Sequence, residues 1–189
     1  MINYPNKKSP SNNKLKIFAN RGMNLEEAIN ITNDYYLDKG IAVIHKKPTP
    51  IQIVKMDYSN GARITDAYFK SPSTTDYNGV YKGRYIDFEA KETQNKTSFP
   101  FHNIGEHQLK HLEAVSKQGA IAFLIISFTK LEEIYFLDAN YVLDYYHKED
   151  RKSIPYSFIK EKGYLIKQGY FTRVDYLEII DKYYLEIHN

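Results

Sequence analysis

The sequence predicts an α/β protein in which helices flank a mixed central β-sheet. Two stretches, near residues 25–39 and 106–117, have apolar side chains at the 3.6-residue spacing of helices that cover a core on one face. The run AIAFLIISF at 120–128 is apolar throughout, as expected of a central strand buried on both faces. Because the segments follow the order helix, several strands, helix, two strands and helix, a helix-covered sheet is the architecture that fits.

The first helix has a clear beginning and end in the sequence. Asn24 is predicted to cap its N-terminus, and Glu26 and Glu27 place negative charge in the first turn, where the helix dipole favours it. Gly40 is predicted to mark the end, since glycine readily adopts the backbone conformation that follows a helix.

Strands are predicted on both sides of a polar loop. The predicted strands span 41–45, 51–58, 63–69, 84–91, 120–128 and 134–137, and further helices span 138–146 and 176–187. The segment SPSTTDYNG at 71–79 is predicted to be a loop, in which the Asn-Gly pair is a turn signal. For residues 154–159 the pattern favours neither helix nor strand.

The composition narrows the class of protein. The chain has 189 residues, 42% of them hydrophobic, which is enough for one domain with a core. It has no cysteine, which excludes a disulfide scaffold and a cysteine nucleophile and suits a cytoplasmic location. No apolar run approaches the roughly 20 residues that cross a bilayer, and the N-terminus lacks the apolar centre of a signal peptide.

The N-terminus is expected to form a flexible basic arm at residues 1–20, with residues 21–189 forming a single domain. The arm is rich in Asn, Ser and Pro, which suits a mobile segment. Its positive charge, together with that of Arg21, comes without any acidic residue. Such an arm could keep the protein soluble or contact phosphate groups, and the sequence leaves both open.

One segment, TTDYNGVYKGRYIDFEAK, carries residues suited to chemistry. Glu89 and Lys91 are two apart, so on a strand both side chains lie on the same face. Asp76 precedes them in the loop, and a hairpin that turns near residues 78–79 or near residues 82–83 would bring it back toward Glu89.

Such a cluster would need a cation, a shared proton or a neighbouring base. Two carboxylates about 4–5 Å apart repel by roughly 3–4 kcal/mol at an effective dielectric near 20. Their hard oxygen atoms suit Mg²⁺ or Mn²⁺, and the Lys91 ammonium could stabilise charge on a phosphate in the transition state. On sequence alone, Glu-x-Lys on a strand is more often a solvent-exposed ion pair. Asp87 would join the same face as a third polar group.

Four long segments match one protein family in order. They read NRGMNLEEAINITNDYY, KKPTPIQIVK, ITDAYFKSPSTTDYNGVYKGRYIDFEAKET and SFPFHNIGEHQLKHL. Through them the chain resembles the RecU family of Holliday junction resolvases, within the PD-(D/E)xK superfamily. The leading Pro-Asp of that superfamily is Thr-Asp here, as in the resolvases. The resemblance implies a restriction-endonuclease-like fold with a protruding β-hairpin stalk.

The resemblance also implies roles for single residues. Asp76 and Glu89 would bind Mg²⁺, for which Mn²⁺ could substitute, and Thr74 and Gln108 would complete the metal site. Lys91 would stabilise the transition state. The implied reaction is nicking of opposed strands of a four-way DNA junction in recombination and repair, giving 5′-phosphate ends.

Partners follow from the same resemblance. A homodimer is implied, because two equivalent sites can cut a two-fold symmetric junction. Within a stalk segment at 67–73, Tyr68 and Phe69 would stack on bases and Lys70 would contact DNA, unless one of the aromatics lies in the core. Arg21 could clamp a phosphate. A RecA-type recombinase could be a further partner, and no membrane is expected.

Other interpretations stay open at this point. A restriction-type or repair nuclease with another DNA substrate would use the same catalytic residues, and a non-catalytic junction-binding protein would bind without cutting. His107 and His111 share a helical face and could form half of a zinc site, although a pair facing the surface or DNA fits better. Glu26 could assist the metal site or serve only the helix dipole.

Overall fold

The computed structural model describes residues 23–70, 74–148 and 151–185. The predicted arm at 1–20, Arg21 and part of the predicted stalk, residues 71–73, lie outside these ranges. Within them, no helix combines the length and the apolar character needed to pass through a membrane. The structure confirms the predicted fold class, a mixed central sheet flanked by helices.

The elements have the following bounds. The helices are α1 (Leu25–Asp38), α2 (Glu106–Lys117), α3 (Ala139–Tyr146), α4 (Tyr156–Lys162) and α5 (Leu177–Ile180). The strands are β1 (Val43–Lys46), β2 (Ile51–Asp57), β3 (Arg63–Phe69), β4 (Tyr77–Tyr81), β5 (Arg84–Thr93), β6 (Ser98–Pro100), β7 (Ile121–Phe128), β8 (Glu133–Asp138), β9 (Ser153–Pro155) and β10 (Tyr164–Leu165). A 3₁₀ turn at Phe101–Asn103 precedes α2, and a π-helical turn at Asp181–Leu185 follows α5.

Helix α1 begins and ends where the sequence predicts. The Asn24 side chain accepts a hydrogen bond from the Glu27 backbone N–H at 2.7 Å, which satisfies one of the free donors of the first turn. Gly40 follows the last turn with a φ of 63°, a conformation that glycine adopts without the strain that a side chain would add.

Within the described residues, six strands form the central sheet in the order β1-β4-β5-β7-β8-β10. Strands β5 and β7 are parallel, and the other neighbours are antiparallel. Helix α2 lies in the crossover between the two parallel strands, as such a connection requires. Every residue of β7 is buried, which confirms it as the central strand predicted from its apolar run.

Strand β4 corrects the prediction that residues 71–79 form one loop. The chain turns at Lys82 and Gly83, whose φ angles of 47° and 76° are those of a tight hairpin turn. The Asn-Gly pair lies inside β4 instead. A Cβ atom on Gly79 would lie 2.1 Å from the Val43 carbonyl oxygen, so the close approach of β1 explains this glycine. Of the two predicted turns, the one near 82–83 is correct.

The two faces of the sheet pack against different helices. On β7, Phe123 and Ile125 lie in a core cluster with α1 and α5, whereas Leu124 and Ile126 lie in a second cluster with α2, α3 and α4. This alternation follows from the two-residue period of a strand. Helices on both faces explain why the run at 120–128 has no polar side of its own.

Four aromatic rings stack across the first of these faces. The ring of Tyr77 lies 4.9 Å from that of Phe88, Phe88 lies 4.8 Å from Phe123, and Phe123 lies 4.1 Å from Phe136, between centroids. The stack joins β4, β5, β7 and β8, and it fixes the position of β5, whose opposite face carries the polar residues.

Replacing Phe123 by alanine is expected to lower the free energy of unfolding by about 3–5 kcal/mol, because its fully buried ring touches two others in the stack. Urea denaturation followed by circular dichroism measures this loss. The matched control is Phe69→Ala, since the Phe69 side chain is 77% exposed and its removal should change stability by less than about 0.5 kcal/mol. Equal losses in the two variants would contradict the central role of the stack.

Strands β2 and β3 form a two-stranded hairpin outside the central sheet. Almost all of their residues are exposed, on both faces of the hairpin. An exposed hairpin at this place in the chain agrees with the stalk that the resemblance implies.

Three parts of the chain differ from the prediction. The unassigned segment 154–159 belongs to β9 and α4, and short strands occur at Ser98–Pro100 and Tyr164–Leu165. The helix predicted at 176–187 is α5 followed by the π-helical turn, and residues 186–189 lie outside the described ranges. Two- and three-residue strands are too short for alternation to predict them.

Candidate active site

Asp76, Glu89 and Lys91 converge at one end of the β4–β5 hairpin. Because Tyr77 pairs with Phe88, the residue before β4 faces Glu89 across the ladder. The Asp76 backbone N–H donates to Glu89 Oε2 at 3.1 Å, and the Ala90 N–H donates to Asp76 Oδ2 at 3.2 Å. Lys91 Nζ lies 2.5 Å from Glu89 Oε1. The structure therefore brings together the three residues that the sequence placed at the chemical centre.

Burial and charge act on Glu89 together. Its side chain is fully buried, whereas that of Lys91 keeps 24% of its surface exposed. Burial, and then the negative charge of Asp76, raise the pKa of Glu89 to about 8, and the Lys91 ammonium opposes this rise. A carboxyl group whose pKa is raised by burial and by a neighbouring carboxylate is typical of a functional site.

Asp76 and Lys91 are accessible from solvent through a cleft of about 260 Å³, whereas Glu89 lies buried beside it. Its lining comprises Asn24, Leu25, Glu26, Asp76, Tyr77, Ala90, Lys91 and Glu92. Glu26 thus lies beside the site, where its Oε1 is 2.5 Å from Lys46 Nζ. The ion pair between Glu89 and Lys91 is therefore not closed off from solvent, because Asp76 and Lys91 both face the cleft.

Gln108 contacts Glu89 directly. Its Nε2 donates to Glu89 Oε1 at 2.6 Å, and its Oε1 accepts from the Gly105 N–H at 2.8 Å, which caps α2. Both atoms of the amide are therefore engaged, and the buried side chain holds the Glu89 carboxylate in one orientation. Its predicted role in metal binding stays a prediction.

Thr74 directly precedes Thr75, whose side chain is fully buried. The exposed side chain of Thr74 accepts a hydrogen bond from Lys47 Nζ at 3.1 Å. Thr74 lies two residues before Asp76, and its predicted role as a metal ligand stays a prediction.

A second polar cluster, Lys47, Thr75, Asp87 and His111, was not predicted as a unit. Asp87 is fully buried and lies 2.8 Å from Lys47 Nζ and 3.1 Å from His111 Nε2. Two signals in the sequence point to it. Asp87 has the same strand parity as Glu89, and His111 follows Gln108 by one helical turn, so both face the same side.

The two histidines of α2 do not form a joint site. His111 lies against Asp87, whereas His107 is exposed. Within the described residues, no three carboxylate, imidazole or thiolate groups gather where they could hold a metal ion. Two carboxylates with hard oxygen atoms nevertheless fit Mg²⁺, which proteins commonly bind through one or two carboxylates, with water and substrate phosphate completing the shell.

Tyr68 and Phe69, two of the predicted DNA-binding residues, lie on the β2–β3 hairpin. Tyr68 is 60% exposed and Phe69 is 77% exposed, so the alternative that one of them lies in the core is wrong. Lys70 follows them and is also exposed, with its backbone N–H bonded to the Pro50 carbonyl at 3.1 Å.

Comparison with known proteins gives consistent matches. A family profile described as RecU, Recombination protein U, matches residues 20–182. A protein named Holliday junction resolvase RecU from Lactococcus lactis subsp. cremoris is 53% identical over 184 residues, covering 96% of this chain and 86% of the relative. A protein of the same name from Streptococcus gordonii is 51% identical over 199 residues, covering 100% and 99%. The solved structure of Archaeoglobus fulgidus Hjc, described as a Holliday junction resolvase, has a TM-score of 0.43 and 13% identity, covering 72% of this chain and 94% of that chain.

Proposed function

This chain belongs to the recombination protein U (RecU) family, and on that premise we propose that it is a Holliday junction resolvase. It is a DNA endonuclease that nicks opposed strands of four-way junctions in recombination and repair. The match to named relatives extends over nearly the whole chain. The nuclease domain would comprise residues 21–189.

The observation that carries this proposal is the convergence of two carboxylates and a lysine at one end of the β4–β5 hairpin, where Asp76 and Lys91 line an open cleft. We assign Asp76 and Glu89 as ligands of Mg²⁺, with Mn²⁺ able to substitute, and Thr74 and Gln108 as supporting groups. The raised pKa of Glu89 supports this, because a bound divalent ion would offset the repulsion between the two carboxylates.

Each residue contributes a distinct part of the chemistry. Bound Mg²⁺ would supply activation of the attacking water and neutralisation of charge on the scissile phosphate. The Lys91 ammonium, partly exposed toward the cleft, would donate to a phosphate oxygen as negative charge develops on it. Gln108 keeps the Glu89 carboxylate in place through its hydrogen bond. We propose that the cut leaves 5′-phosphate and 3′-hydroxyl ends.

Symmetry of the substrate supports a homodimer. A four-way junction has two equivalent strands to cut, and a two-fold dimer presents two equivalent sites to them. The exposed hairpin β2–β3 would enter the junction, with Tyr68 and Phe69 stacking on bases and Lys70 contacting the backbone. Arg21 and the basic arm are proposed as further DNA contacts. A cytoplasmic location and a RecA-type recombinase partner are part of the same proposal.

The decisive experiment compares three DNA substrates. Wild-type protein is incubated with a four-way junction, a nicked duplex and a linear duplex, with and without Mg²⁺, beside Asp76→Ala. Preferential, Mg²⁺-dependent cutting of the junction that Asp76→Ala abolishes is the expected result. Preference for plain duplex would instead identify a restriction-type or repair nuclease, and binding without cutting would identify a non-catalytic junction-binding protein.

Removing both stalk aromatics, Tyr68→Ala with Phe69→Ala, is expected to weaken junction binding by about 1–3 kcal/mol for each base stack that is lost. Both side chains are exposed, so the melting temperature should stay at the wild-type value. Fluorescence anisotropy with a labelled junction in EDTA measures the affinity. Tyr170→Ala is the control, since Tyr170 is 72% exposed outside the hairpin. Wild-type affinity in the double variant would rule out stacking by this pair.

A further inference from the structure

The ammonium group of Lys47 lies in a nearly closed polar environment. Its side chain is only 13% exposed. Lys47 Nζ lies 3.1 Å from Thr74 Oγ1, 2.5 Å from Thr75 Oγ1, 2.8 Å from Asp87 Oδ2 and 3.3 Å from His111 Nε2. A lysine with this many partners is held in one conformation, unlike a lysine on the surface.

The backbone of Lys47 holds the same segment. Its N–H donates to the Asp76 carbonyl oxygen at 2.7 Å. Lys47 therefore contacts three consecutive residues, Thr74, Thr75 and Asp76, through its side chain for the first two and its backbone for the third. These residues precede β4, and on the other side the Asp76 backbone N–H donates to Glu89 Oε2 at 3.1 Å.

Asp87 anchors this arrangement to the strand that carries the catalytic pair. It is fully buried on β5, two residues before Glu89 and on the same face. It accepts hydrogen bonds from the hydroxyl groups of Thr75 and Tyr85 as well as from Lys47. The pair Lys47–Asp87 thus links the segment that carries Asp76 to the strand that carries Glu89.

We propose that Lys47 is a positioning residue for the metal site, an inference that rests on the proposed function. It holds Asp76 against Glu89 before any cation is bound. The cation therefore does not have to order residues 74–76, and its binding free energy is not reduced by that cost. Without Lys47, mutual repulsion of the two carboxylates would favour conformations in which residues 74–76 move away from β5. Residues that support metal ligands in this way typically contribute about 10–100-fold to metal affinity.

The test uses Mn²⁺ as the probe, because the electron paramagnetic resonance signal of free Mn²⁺ falls when the ion binds. Lys47→Met keeps the length of the side chain and removes its charge and donors. We expect about 10–100-fold weaker Mn²⁺ binding, with junction affinity in EDTA unchanged. Lys39→Met, at an exposed position after α1, is the matched control and should bind Mn²⁺ like the wild type.

Lys47→Met leaves the buried charge of Asp87 without its cation, so it is also expected to lower the melting temperature. The double variant Lys47→Met with Asp87→Asn removes that charge. We expect it to recover much of the melting temperature while Mn²⁺ binding stays weak, since Thr74 and Thr75 still lack their donor. Wild-type Mn²⁺ affinity in either variant would overturn the inference, because Lys47 would then serve only to neutralise Asp87.

The wild-type controls separate this inference from the proposed function. Wild-type protein must cut four-way junctions with Mg²⁺ and must bind Mn²⁺ in a way that Asp76→Ala abolishes. Failure of these controls would remove the proposed function and the inference together. If they succeed and Lys47→Met still binds Mn²⁺ as tightly as the wild type, the proposed function stands and the positioning role of Lys47 alone is overturned.

Discussion

Replacing Lys91 by alanine is expected to slow junction cleavage by about 10²–10³-fold while junction binding is retained. The ammonium lies next to Glu89 and faces the cleft, where it can donate to a phosphate oxygen as charge develops in the transition state. A group that acts mainly on the transition state affects the rate of cutting far more than the affinity for the substrate. Single-turnover cleavage of a labelled junction, with anisotropy in EDTA beside it, separates the two quantities.

The control for this prediction is Lys162→Ala on α4. Lys162 forms an exposed ion pair with its neighbour Glu161, at a place that does not line the cleft. Both variants lose one positive charge, so a general effect of charge on DNA binding would appear in both. Cutting by Lys91→Ala within about threefold of the wild-type rate would show that Lys91 has no direct part in the chemistry.

Replacing Glu89 by glutamine is expected to reduce cutting by at least about 10²-fold and to stabilise the metal-free fold. Residues that only support a metal ligand account for about 10–100-fold, so loss of a proposed ligand should cost at least as much. The amide has almost the same shape as the carboxyl group, and its oxygen can still accept from Gln108 and Lys91, although its nitrogen cannot accept from the Asp76 N–H. Loss of activity together with a gain in stability would separate a functional role from a structural one.

The gain in stability depends on pH. In the folded protein the pKa of Glu89 is raised from 4.5 to about 8, so between these values the folded state binds more protons than the unfolded state. The stability of the wild type therefore falls as pH rises through this window. Glutamine does not ionise, so the free energy of unfolding of Glu89→Gln should exceed that of the wild type by about 2–4 kcal/mol at pH 8, and by little at pH 5.

Urea denaturation in EDTA at pH 5, 6.5 and 8 checks this dependence. Glu161→Gln, at a side chain that is 68% exposed on α4, removes the same charge without changing a buried group and should follow the wild-type curve. If the curves of Glu89→Gln and the wild type ran parallel across the three pH values, the raised pKa of Glu89 would be wrong.

The long periodic segments of the fold were predictable from sequence, and the short ones were not. Helix α1 and strand β7 have patterns long enough for their period and caps to identify them. Strand β4 was missed because its Asn-Gly pair is a common turn signal, and only the packing of β1 against Gly79 explains a glycine inside a strand. The signal for a strand was the pair of tyrosines at its two ends, Tyr77 and Tyr81, which are both buried.

For the active site, the identity of the central residues was predictable, and their surroundings were only partly so. The spacing of Glu89 and Lys91 fixes their common face on any regular strand. The resemblance to the RecU family indicated that Gln108 belongs to the site, and the structure shows its direct contact with Glu89. The exposure of both Tyr68 and Phe69 excluded the alternative that one of them lies in the core. Lys47 and His111 were not predicted because their partners lie 40 and 24 positions away along the chain.

The sequence by itself determined that Glu89 and Lys91 share one face, because residue types and two-residue spacing are local properties that a strand converts directly into a shared face. Only the tertiary structure decided which groups share an environment. Burial of Glu89, the charge of Asp76 beside it and the link from Lys47 to Asp87 all arise between segments distant in the chain. Electrostatic and hydrogen-bond energies depend on distance in space and on exclusion of water. The spacing of residues along the sequence gives neither of these two quantities.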